Sequence, residues 1–62
     1  MNKPKCKLIG ENGNVFNLMS ICKKALLKAN MKKEYEEMAD KIYKAKSYDE
    51  ALYIMSEYVD IE

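Results

Sequence analysis

Leu8-Ile9-Gly10-Glu11-Asn12-Gly13-Asn14-Val15-Phe16-Asn17-Leu18 is the stretch that decides the fold of this 62-residue chain, because it governs how the first helix is entered. Asn12-Gly13 favours the positive φ values of a tight hairpin turn, and apolar pairs flank it, Leu8-Ile9 before and Val15-Phe16 after. This pattern predicts strands near residues 6–10 and 14–17, joined as a β-hairpin over residues 6–17. Two registers fit. A two-residue loop sets Ile9 opposite Phe16, and a three-residue loop ending at Gly13 sets Leu8 opposite Phe16. A lone two-stranded hairpin is marginal in water, so it is expected to lie on helices or to pair with another chain.

Beyond residue 17 the apolar spacing becomes that of helices. The first helix is expected over residues 18–29, with Asn17 as its N-cap and Leu18, Cys22, Ala25 and Ala29 on one stripe. Asn30 is placed to close it in the left-handed conformation. A second helix is expected over residues 32–45, with the stripe Met31, Tyr35, Met38, Ile42 and Ala45. Glu34, Glu36 and Glu37 lie in its first turns and Lys41, Lys44 and Lys46 at its end, the order that complements the helix dipole. Ser47 and Glu50 have capping-box spacing and open a third helix over residues 48–59. Its stripe is Ala51, Met55, Tyr58 and Val59. The expected fold is α+β and mostly helical: an N-terminal β-hairpin followed by three α-helices, in a single domain spanning residues 1–62, with the last two helices antiparallel.

Composition bounds the chemistry. A chain this short buries only about 60% of its unfolded surface, which favours completion of the core by a partner subunit and makes a homodimer an expectation. Apolar residues make up 48% and charged residues 34%, the balance of a globular protein. No apolar run approaches the ~18 residues needed to span a bilayer, and no secretory apolar segment follows the basic N-terminus; membrane association is not expected and the cytoplasm is the expected compartment. The sequence contains no His, Arg, Trp, Gln or Thr. Without His the commonest general base is missing, and Cys6 and Cys22 alone cannot close a tetrahedral zinc site. Cys22 reads as a buried core thiol, whereas Lys5 and Lys7 would favour the thiolate of Cys6. Glu34 with Glu37 and Asp49 with Glu50 sit where helix starts attract negative charge, so they read as capping and dipole residues rather than an acid–base pair. The expectation is a non-enzymatic protein with no catalytic residue, no metal and no cofactor.

Charge is divided along the chain. Residues 1–33 carry eight Lys and one acid, a net of +7, and residues 34–62 carry three Lys and nine acids, a net of −6, which together give the overall +1. Lys23, Lys24, Lys28, Lys32 and Lys33 are therefore candidate contacts for a nucleic acid, driven by phosphate rather than by base identity because Arg is absent. The other reading is that the acidic helices neutralise the basic one, within the domain or across a dimer. Helical-wheel spacing picks out a second set. Leu27 falls among polar residues of the first helix, Tyr53 on the polar face of the third, and Tyr43 at the edge of the second helix's stripe. If they converge, Leu27, Tyr43 and Tyr53 form a protein-binding surface, since Tyr is enriched in binding hot spots. Met19, Met31, Met38 and Met55 could line an adaptable groove, but their spacing assigns them to the core.

Residues 8–18, together with Tyr48-Asp49-Glu50-Ala51-Leu52 and Glu57-Tyr58-Val59, resemble a group of short uncharacterised proteins of low-GC Gram-positive bacteria and their phages or plasmids. The resemblance extends over most of residues 6–61. It implies a mobile-element accessory protein, with a regulator or an inhibitor of a host protein as the natural roles, and it carries over no functional residue. Tyr48 and Ala51-Leu52 also give the last two helices a slight likeness to one tetratricopeptide helix pair, without a repeat. The functional expectation is a protein–protein interaction module acting through the hairpin edge or the Leu27/Tyr53 surface. The alternative is a non-specific nucleic-acid-binding accessory.

Overall fold

A computed structural model describes residues 3–62. Three helices, α1 (Val15–Lys28), α2 (Lys32–Tyr43) and α3 (Tyr48–Tyr58), lie between two very short strands, β1 (Lys5–Cys6) and β2 (Asp60–Ile61). The mostly helical α+β class is as expected. The hairpin is not.

β1 pairs in parallel with β2, setting Lys5 against Asp60 and Cys6 against Ile61. Asp60 N–H donates to Pro4 O and Glu62 N–H to Cys6 O, both at 2.8 Å. Just past β1, the Leu8 and Ile9 N–H groups converge on Glu62 O at 2.8 and 2.9 Å. A parallel pair requires a long crossover, and here the three helices supply it.

The hairpin expected over residues 6–17 fails for two local reasons. The turn comes earlier than Asn12-Gly13: Glu11 N–H donates to Leu8 O at 3.2 Å, and Gly10 holds φ +90° at the third turn position. That is where a type II turn needs a residue tolerant of positive φ. The second reason is that Asn14 caps a helix instead of entering a strand. Its Oδ1 accepts from Phe16 N–H at 2.9 Å. Asn12 Oδ1 accepts from Asn14 N–H at 2.9 Å, and Asn17 Nδ2 donates to Asn12 O at 2.8 Å, so three Asn side chains shape the lead-in. The helical stripe extends back from Leu18 to Val15, and tertiary packing along it overrides the β preference of Val15-Phe16. The N-cap is therefore Asn14, and Asn17 lies inside α1.

The C-terminal end of α1 is as anticipated. Asn30 adopts φ +61°. Asn30 N–H donates to Leu27 O at 3.0 Å and Met31 N–H to Leu26 O at 2.8 Å, the paired bonds of a Schellman motif. α2 ends two residues earlier than expected, at Tyr43. Ser47 caps α3, with Oγ accepting from Glu50 N–H at 3.0 Å, while Glu50 Oε1 accepts from Lys46 N–H at 3.2 Å, one residue before the usual capping-box donor. Val59 then turns extended (φ −132°, ψ 155°), and its bend leads the chain into β2.

The core lies where the helices meet. Leu26, Met38, Met55, Val59 and Cys22 are its largest fully buried side chains, and Met19 and Leu18 join them. Cys6 and Leu8 fix the β1 segment onto the same cluster. Met31 is partly buried at its edge, so all four internal methionines serve packing.

Two outcomes follow from these contacts. Asn14→Ala should cost about 1 kcal/mol in urea denaturation, the usual loss for an N-cap. Asn17→Ala, which removes only one exposed bond, should cost less than half as much; equal costs would place the cap elsewhere. The second concerns Cys22, whose thiol burial pushes up to about 12 from an ordinary value of 9.0, with the neighbouring Cys6 adding to the shift. Because the folded value is the higher one, its contribution is complete below pH ~9 and fades as pH rises toward ~12. The thermal midpoint should therefore fall further between pH 8 and pH 10.5 in the native chain than in Cys22→Ala.

Candidate functional site

Two open clefts flank Tyr48, the first residue of α3. The larger, of about 420 Å³, forms where the start of α1, the end of α2 and the start of α3 meet. Val15, Met19, Ile42 and Ala51 give it an apolar floor, and Lys46 and Ser47 a polar edge. Phe16 and Tyr43 stand at its rim, 66% and 72% exposed. Both positions follow from helix geometry. Phe16 is one residue past Val15 and so falls about 100° off the buried stripe. Tyr43 is displaced in the same way from buried Ile42, and α2 stops there, leaving nothing beyond to cover it.

The second cleft, of about 320 Å³, is lined by Leu8, Ile9, Leu18, Leu52 and Ile61, with Glu11 and Gly13 at its edge. Ile9 is 70% exposed. Tyr48 divides the two clefts, and its O–H donates to Gly13 O. A Cβ on Gly13 would come within 3.2 Å of that hydroxyl oxygen. Gly13 thus serves the close approach of Tyr48 rather than a hairpin turn.

Of the side chains expected to bind a partner, Tyr43 lines the larger cleft, while Leu27 and Tyr53 line neither. Leu27 is 42% exposed near the end of α1. It sits eleven residues from Phe16, about three turns along the same side of the helix. Tyr53 is 68% exposed and lies on the side of α3 away from the buried stripe of Ala51, Ile54 and Met55. Sequence reasoning missed Phe16, Tyr48 and Ile9 as surface residues. The expected hairpin places Phe16 on a strand face. The signal that could have found it is Asn14 as N-cap, which moves Phe16 into the first helical turn.

The five candidate lysines, Lys23, Lys24, Lys28, Lys32 and Lys33, are all exposed. Lys23 Nζ lies 5.6 Å from the centre of the Tyr35 ring, a cation–π contact joining α1 to α2. Among the described residues none of the five makes an ion pair. The two ion pairs present, Lys41–Glu57 at 3.9 Å and Lys44–Asp40 at 3.1 Å, both lie within residues 34–62. Among the described residues no ion pair bridges the basic and acidic halves.

Among the described residues no polar or charged side chain is buried, and no group of three or more Cys, Asp or Glu is placed to hold a metal ion. No helix is long and apolar enough to cross a membrane. No family model matches the chain, and neither a curated protein nor a solved structure matches it.

The Tyr48–Gly13 contact can be tested as a unit. Tyr48→Phe should lower unfolding free energy by about 1 kcal/mol, the net value of one hydrogen bond. Gly13→Ala should also destabilise, and the double variant should cost less than the two separate losses combined. Full additivity in urea denaturation would show that the hydroxyl and Gly13 act independently.

Proposed function

We propose that this chain is a non-enzymatic protein–protein interaction module whose binding surface is the cleft rimmed by Phe16, Tyr43 and Tyr48. The observation that carries this reading is two largely exposed aromatic side chains standing over an apolar floor of Val15, Met19, Ile42 and Ala51. Aromatic anchors around a depression that excludes water are the usual composition of a binding hot spot. The fitting partner segment offers an apolar side chain to the floor and a carboxylate beside it for Lys46. The resemblance to short mobile-element proteins makes a regulator or inhibitor of a host protein the corresponding role, exercised in the cytoplasm. Relative to the sequence reading of Leu27, Tyr43 and Tyr53, the proposed surface keeps Tyr43 and replaces the other two with Phe16 and Tyr48.

A second reading rests on the lysines. Lys24, Lys28, Lys32 and Lys33 cluster around the α1–α2 junction without ion-pair partners, which favours a non-specific, phosphate-driven nucleic-acid contact.

One experiment addresses both. A photo-crosslinking amino acid at position 46 should give a discrete protein adduct in cells, and Phe16→Ala with Tyr43→Ala should abolish it without lowering helix content. An adduct that survives the double variant, or one obtained only from position 53, would sink the cleft proposal. Self-association would show as a dimer of this chain in the adduct. Retention on DNA or RNA that falls steeply with salt, and is lost when the five lysines become Gln, would instead favour the second reading.

A further inference from the structure

Cys6 and Cys22 lie sixteen positions apart in sequence, yet their sulfurs are 3.8 Å apart in the core, with the Cys6 thiol directed at Cys22 Sγ. Both are buried, at 3% and 0% exposure. They are the only two cysteines in the chain, so neither has another intrachain partner. A disulfide holds its sulfurs about 2.05 Å apart, so closing this pair requires about 1.8 Å of approach, on the scale of a side-chain rotation with slight movement of a terminal strand. Cys6 belongs to β1, a strand of only two residues, and Cys22 to the middle of α1.

We propose that Cys6 and Cys22 are an oxidation site: a small-molecule disulfide of the glutathione class converts them to an intrachain disulfide that ties β1 to α1. The chemistry is two successive exchanges. The Cys6 thiolate attacks one sulfur of the reagent disulfide, forming a mixed disulfide and releasing one reagent thiolate, which takes up the proton lost by Cys6. The Cys22 thiolate then attacks the Cys6 sulfur, forming the Cys6–Cys22 bond and releasing the second reagent thiolate, which takes up the Cys22 proton. Two protein thiols lose two electrons and two protons, and the reagent disulfide becomes two thiols.

Access governs the rate. In the closed fold neither sulfur can be reached, and burial raises both thiols above their ordinary range, which leaves little thiolate. β1, however, is two residues long, held by backbone bonds to residues 60–62 and by the packing of Cys6 on the core. Local opening of such a terminal pair needs far less than global unfolding. Lifting it bares Cys6 first and then uncovers Cys22 while the helices stay packed. Once closed, the bond would also stiffen Leu8 and Ile9, two and three residues beyond Cys6, which wall the second cleft.

The test is to treat the reduced, folded chain with oxidised glutathione at pH 8 and follow intact mass and circular dichroism. The expected end product is a monomer lighter by about 2 Da, with the Cys6 peptide joined to the Cys22 peptide. Its thermal midpoint should be raised by about 10 °C or more, as expected for closing a loop of this length in a small domain. Asp60→Pro, which removes the N–H donated to Pro4 O, should speed closure several-fold at unchanged helix content. A stable glutathione adduct, a disulfide-linked dimer, or oxidation only in denaturing urea would overturn the proposal. An Asp60→Pro rate equal to that of the native chain would overturn the role given to β1 opening.

Discussion

The pairing of residues 5–6 with residues 60–61 is the constraint on which the rest of the structure depends. A two-residue parallel ladder has almost no stability of its own, so it persists only because packing presents its two halves to each other. On one side, Cys6 and Leu8 are buried against the helices. On the other, Val59 is fully buried at the end of α3 and turns extended, which sends Asp60 and Ile61 alongside β1. Backbone bonds from Leu8, Ile9, Asp60 and Glu62 then fix both segments. Without this closure the second cleft would lose three of its walls, Leu8, Ile9 and Ile61.

The helical part of the molecule was legible because its signals are local. Ser47 with Glu50, Asn30 at the end of α1, and the buried run of Met38 and Ile42 each depend on residues within a turn or two of one another. The N-terminal segment was misread for the same reason. Asn12-Gly13 between apolar pairs carries a strong hairpin signal, whereas the true partner of β1 lies more than fifty residues away and consists of Asp60-Ile61, which has no strand pattern of its own. Nothing local marks a two-residue strand. Val15 and Phe16 were ambiguous between a strand and a first helical turn, and only the Asn14 cap separates the two.

The same ambiguity governed the candidate site. With Phe16 placed in a strand, no aromatic cleft could be foreseen, and Tyr43 could be identified only as an edge residue. Once α1 starts at Val15, Phe16 turns outward beside Tyr43 and the start of α3 completes the depression. The charge division was fully legible in the sequence, but its resolution was not. Among the described residues no ion pair connects the basic and acidic halves, although the strand pair sets Lys5 against Asp60.

The parallel closure also gives the chain a direction in time. During synthesis β1 emerges first, and its partner strand follows only after all three helices have been made. α1 and α2 can pack while β1 still lacks its partner strand. The strand pair joins segments more than fifty residues apart, the kind of contact that is slowest to find. Helix assembly can therefore begin before the strand pair is complete, because every helix precedes β2 in the chain.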